Sequence, residues 1–263
     1  MDDITQDGLK LFAVWLLIFV RFAGFFVQAP IWGSHHFDKK ILVASAAVWS
    51  FIVYPSVPVP KNLTFDLLPF ILMIAVQLLV GLIIGYASFM IMSAAQFGGE
   101  MLDTQMGLSV AASYDPASGS SVNMMRRFKF YLAMTLFLCF DGHHQLIHAM
   151  FDSFRLIPLS GVNYSSEMMG KLIKMTADIF YLGVQIASPA MAALFTTQIG
   201  LGMLARVAPQ MNVFMLSFPL NIAIGLTVLT AAMLLIINAL NRQFTQNTSD
   251  IIQLIRMMQI LPP

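Results

Sequence analysis

Charge is scarce in this chain: Asp, Glu, Lys and Arg make up 10% of 263 residues and leave a formal net charge of +1. Soluble domains carry about 25% charged residues, so an ordinary water-facing globular protein is excluded. Nucleic-acid binding needs Lys and Arg gathered on one face, and the sequence shows no such gathering. The single cysteine, Cys139, cannot form an internal disulfide; within the apolar stretch Phe128 to Phe140 it reads as a small buried hydrophobe, not a reactive thiol. There is no P-loop, no dinucleotide fingerprint and no G-x-S-x-G elbow, which argues against nucleotide hydrolysis and against a serine nucleophile of that type. Asp2, Asp3 and Asp7 open the chain where a signal peptide would carry Lys or Arg, so the apolar run from Leu11 is expected to persist as a helix.

Apolar sequence takes the place of charge, at 58% of the chain. It falls in stretches at Leu11 to Trp32, Ile41 to Val59, Leu67 to Phe97, Phe128 to Phe140, Ile179 to Leu204 and Val213 to Leu240, which predicts about six membrane spans. Several fit a bilayer poorly. As one straight helix Leu67 to Phe97 would be about 46 Å long, against a hydrocarbon core of about 30 Å, whereas Phe128 to Phe140 would cover only about 20 Å. Arg21 lies near the middle of the first stretch, and a lipid-facing arginine there costs at least about 2.5 kcal/mol, so Arg21 is expected to face protein. Gly81 and Gly85 have the GxxxG spacing that lets a second helix come close. Pro219, inside an apolar stretch, is expected to kink or divide its helix. Such misfits favour a chain shaped by partner subunits over a self-contained bundle.

After Gly99 the apolar run breaks into Glu100-Met101-Leu102-Asp103, then a stretch rich in Gly, Ser and Ala that is uncharged from Thr104 to Tyr114 and ends near Ser121. It lacks the periodicity of a helix, and a pliable, mildly apolar loop on apolar supports suggests a gate or plug before it suggests a catalytic cleft. Twenty methionines are present, and Met101 and Met106 beside this loop fit either core filling or a deformable gasket. Asp141-Gly142-His143-His144 and His148 form the one group resembling a metal site, with Asp141, His144 and His148 expected on one helix face. No second acidic or thiolate cluster accompanies it, so no metal is assigned; Asp141-Gly142 is read as the end of one helix and the start of the next. Arg206, before Ala208-Pro209-Gln210, reads either as a helix end satisfying carbonyls or as a polar anchor between subunits.

Taken in order, these residues resemble the FliR/SctT family of type III secretion export-gate subunits. The likeness runs through Arg21, Gly24 and Ala29-Pro30; Gly99-Glu100, Gln105-Met106-Gly107-Leu108-Ser109 and Asp115-Pro116; Gly142-His143; Leu156-Ile157-Pro158; and Arg206, Ala208-Pro209-Gln210, Phe218-Pro219 and Gly225. His144 departs from the pattern. The resemblance implies an all-α polytopic membrane protein, a single helical domain over residues 1–263, in the bacterial inner membrane at the flagellar basal body. It further implies assembly with FliP and FliQ, association with FlhB and FlhA, and a closed channel for unfolded flagellar proteins, with no cofactor and no catalytic residue. On this likeness the plug spans about residues 105–121, with Gln105, Met106, Gly107, Leu108, Val110, Tyr114, Asp115 and Pro116 at the gate. Arg21, Pro30, Glu100, Arg206, Pro209, Gln210, Phe218 and Pro219 would serve assembly. The alternatives are the homologous subunit of a virulence injectisome, a polytopic metalloenzyme built on Asp141, His143, His144 and His148, or a transporter using Arg21 or Arg206.

Overall fold

The computed structural model describes residues 2–33, 38–58, 66–109 and 123–259, and all regular structure among them is helical. In chain order the helices are α1 (Asp2–Gln28), α2 (Lys39–Val53), a 3-10 turn (Tyr54–Ser56), α3 (Leu67–Gln105), α4 (Met124–Cys139), α5 (Gly142–Leu156), α6 (Ser166–Val207), α7 (Val213–Ala231) and α8 (Met233–Met257). Among the described residues four helices are long and apolar enough to cross a membrane: Gly8–Gln28 of α1, and α3, α6 and α7. The expectation of six spans is thereby corrected. α2 and α4, at 15 and 16 residues, fall short of the requirement, which is about 20. The stretch Val213 to Leu240 divides between α7 and α8 at Ala232. Pro219 does not divide it; α7 continues through that residue. The break at Ala232 is one residue wide, since its N–H still reaches Val228 O at 2.8 Å and the Ile236 N–H reaches Ala232 O at 3.1 Å.

The chain forms two compact units, Met1–Met90 with Asp141–Met175 and Thr245–Pro263, and Ile91–Phe140 with Thr176–Phe244. In the first, α1 buries Val14, Leu17, Ile18, Phe22, Phe25 and Phe26, a stripe at helical spacing. Each such side chain contributes about 1.5–3 kcal/mol on full burial. The GxxxG pair acts as expected: a Cβ on Gly81 would fall on Arg21 O, and one on Gly85 would lie 2.6 Å from Phe25 O. The backbones of α1 and α3 therefore touch where side chains would hold them apart. α1 ends at Gln28, just before Ala29 and Pro30, both buried. Asp38 caps α2 by accepting the Lys40 N–H at 3.2 Å.

In the second unit α4 buries Met125, Lys129, Ala133 and Phe137, one residue per turn. Cys139 is exposed, which corrects the reading of a buried hydrophobe. Two positions beyond Phe137 places it about 200° around the helix, off the buried stripe. α6 contains Pro189, which has no N–H to give the carbonyl of Gln185. The Ser188 hydroxyl donates to that carbonyl instead, at 2.9 Å. One residue on, Lys129 Nζ donates to Ile186 O at 3.3 Å. Burial lowers the Lys129 pKa to about 8.

Candidate gate segment and its anchors

α3 does not stop at Gly99 as the sequence pattern suggests; it runs to Gln105. The added turns place Gln96, Gly99, Glu100 and Asp103 along one face, at helical spacing, and that face receives the first turn of α4. Asp103 is buried, and its carboxylate accepts the backbone N–H groups of Met125 at 2.8 Å and Arg126 at 2.9 Å. These are donors left free at a helix N-terminus. The N-cap residue of α4, Asn123, makes no capping bond of its own, so Asp103 caps α4 from another helix. Arg126 also donates to Gln96 Oε1 at 3.2 and 3.4 Å and stands 3.8 Å from Glu100. Gly99 admits this contact, for a Cβ there would lie 2.5 Å from Met125 O.

Past Gln105 the chain turns at Gly107, whose φ of +76° is a left-handed conformation that other residues adopt at a cost. A Cβ at Gly107 would also meet the Phe218 ring at 2.8 Å. Met106 is buried, and its side chain lies where a Cβ on Gly225 would come within 2.9 Å. Gln105 Oε1 accepts a bond from Gln198 Nε2 at 3.1 Å. The root of the expected plug is thus seated on α7 through Met106 with Gly225 and Gly107 with Phe218. Its return at Met125 and Arg126 is tied to Asp103, a few residues before the departure. Leu108 and Ser109 are half-buried. Val110, Tyr114, Asp115 and Pro116, the remaining gate positions, lie outside the described residues.

Arg21 forms the other polar centre and is fully buried, as its place in an apolar helix requires. Its Nε donates to Gln77 Oε1 at 2.7 Å, Nη1 to Ser153 O at 3.0 Å and Nη2 to Ile157 O at 3.2 Å, and its guanidinium lies 4.4 Å over the Phe154 ring. Gln77 passes the bonding on through Nε2 to Leu159 O at 3.0 Å. The carbonyls that Arg21 uses come from the end of α5 and the residue after it, where helix ends leave acceptors free. Arg206, by contrast, is exposed in the last turn of α6, and its side chain makes no hydrogen bond or ion pair among the described residues. Pro209, Gln210 and Pro219 are exposed as well, Glu100 is exposed beside Arg126, and Phe218 is half-buried.

Sequence reasoning missed Gln96, Gln77 and Ser153 as partners and saw in Asp103 only a nearby charge. A polar residue inside an apolar helix, as at Gln77 and Gln96, was the signal available. At the α4–α5 turn Asp141 is left-handed, with φ 54°, and ends one helix before Gly142 starts the next, as expected. The structure groups Asp141, His143 and His144, with ligand atoms within 4.8 Å of one another, and leaves His148 outside that group.

Residues 12–247 match the family described as bacterial export proteins, family 1. The chain is 32% identical over 233 residues to the flagellar biosynthetic protein FliR of Escherichia coli strain K12, covering 88% of each chain. It is 29% identical over 240 residues to that of Bacillus subtilis strain 168, covering 90% of this chain and 92% of the relative. The FliR of Aquifex aeolicus strain VF5 is 25% identical over 244 residues, 93% of each chain. With a match over nearly the whole length and helices suited to a membrane, this chain belongs to the bacterial export protein family 1.

Proposed function

We propose that this chain is a channel-forming subunit of the flagellar type III protein export gate, in the bacterial inner membrane at the flagellar basal body. In this reading it lines the conduit for unfolded flagellar proteins and plugs it with the segment 105–121. FliP and FliQ are the subunits expected around it, with FlhB and FlhA associated, and the chain carries no catalytic step. The observation that carries the reading is the double anchorage of the segment: departure seated on α7 by Met106 and Gly107, return capped by Asp103. A plug needs fixed ends whatever its middle does, because the middle must return to one place after each opening. The faces of α7 support the setting. It buries Asn221, Gly225 and Leu229, while Phe214, Met215, Leu216 and Leu226 are exposed and call for lipid or neighbouring subunits.

The test is permeability. Cells making the complete gate with residues 110–118 deleted are expected to leak ions while assembling gates in normal amount. A cysteine placed by Val110→Cys is expected to resist thiol reagents at rest and to react during export. Wild-type permeability together with equal reactivity in both states would leave the segment a structural connector.

A further inference from the structure

We propose that Asp141, His143 and His144 form a binding site for one divalent transition-metal ion of the zinc type. Two imidazoles and a carboxylate are a donor set that zinc accepts, and one ligand atom from each lies within 4.8 Å of the others. The separation of His144 Nδ1 and Asp141 Oδ1 is 3.2 Å, close to the spacing of about 3.4 Å between two ligands on a tetrahedral ion with bonds of about 2.1 Å.

Two further observations point the cluster toward a ligand. Asp141 occupies the N-cap of α5, yet its carboxylate makes no capping bond; it faces the His144 imidazole instead of the helix amides. That choice matters because the positive end of a helix opposes a cation, and the carboxylate offsets it. His143 Nδ1 is buried and has no hydrogen-bond partner among the described residues. Buried polar atoms of this kind are nearly always bonded, and an ion ligated by His143 would supply a partner. The imidazole rings of His143 and His144 lie side by side, with centroids 4.1 Å apart. A bound ion would fasten the left-handed backbone at Asp141, ahead of α5.

The experiment uses the full chain in its assembled complex, stripped with chelator and titrated with zinc chloride by calorimetry and with cobalt chloride by visible absorption. Wild type is expected to take up one zinc per copy of this chain and to give a tetrahedral cobalt spectrum. Asp141→Asn and His144→Ala, both at exposed positions, should each weaken binding at least about tenfold. His148→Ala, outside the cluster, should stay within about twofold. Uptake by wild type no greater than by the Asp141→Asn, His144→Ala double variant would overturn the site, as would an equal loss in His148→Ala.

Discussion

The carboxylate of Asp103 and the backbone amide of Arg126 meet at 2.9 Å, and with this bond the end of α3 caps the start of α4. The bond is shared with the Met125 amide at 2.8 Å and is shielded from water, since Asp103 is buried. It joins the residues on either side of the candidate gate segment, so its strength sets how firmly that segment is held.

Replacing Asp103 by Ala should therefore loosen the candidate gate segment before it unfolds the protein. Loss of an N-cap costs about 0.5–2 kcal/mol, and leaving the buried Met125 amide unsatisfied places this site at the upper end. Limited proteolysis of the assembled complex between residues 105 and 126 should quicken, with Asp103→Asn intermediate. Identical cleavage rates in all three proteins would contradict the capping role.

Gly225 leaves room for Met106. Gly225→Val should disturb the seat of the candidate gate segment, since overpacking costs about 1–3 kcal/mol, and motility should fall. Met106→Ala in the same chain should restore part of the loss, because it vacates the volume that the new side chain claims. A double variant no better than Gly225→Val alone would show that the effect arises elsewhere.

Arg21 should tolerate no apolar replacement. Arg21→Met removes the donors for Ser153 O and Ile157 O and strands Gln77 Oε1; breaking a buried polar cluster of this kind costs about 3–5 kcal/mol. The amount of chain recovered from membranes should drop sharply. Recovery at the wild-type level would mean that water or lipid headgroups reach these carbonyls.

Arg206 separates two effects. It is exposed and unbonded among the described residues, so Arg206→Ala should change the stability of the chain by no more than about 0.5 kcal/mol. If assembly yield with the neighbouring subunits falls while thermal unfolding of the isolated chain stays the same, the residue is an inter-subunit anchor. Unchanged yield would make it a solvated helix end.

Arg21 was legible from sequence, because a guanidinium inside an apolar helix must find protein acceptors. Its acceptors were not: Gln77 lies 56 positions away and Ile157 136. The same division holds at the candidate gate segment. The stretch rich in Gly, Ser and Ala marked a pliable loop, but Asp103 looked like one more charge, and only the return of α4 made it a cap. Cys139 shows the converse error, since apolar neighbours in sequence say nothing about which face of a short helix is covered.

By itself the sequence determined the helical class, the membrane setting, the close approach at Gly81 and Gly85 and the break at Asp141-Gly142, all of which follow from local composition and periodicity. Tertiary structure decided what no local pattern encodes: that α3 continues to Gln105, that Met106 rests on Gly225, and that Asp103 reaches the amides of Met125 and Arg126. The reason is physical. Helix formation depends on neighbours a turn away, whereas capping between helices and close packing depend on residues brought together by the whole chain.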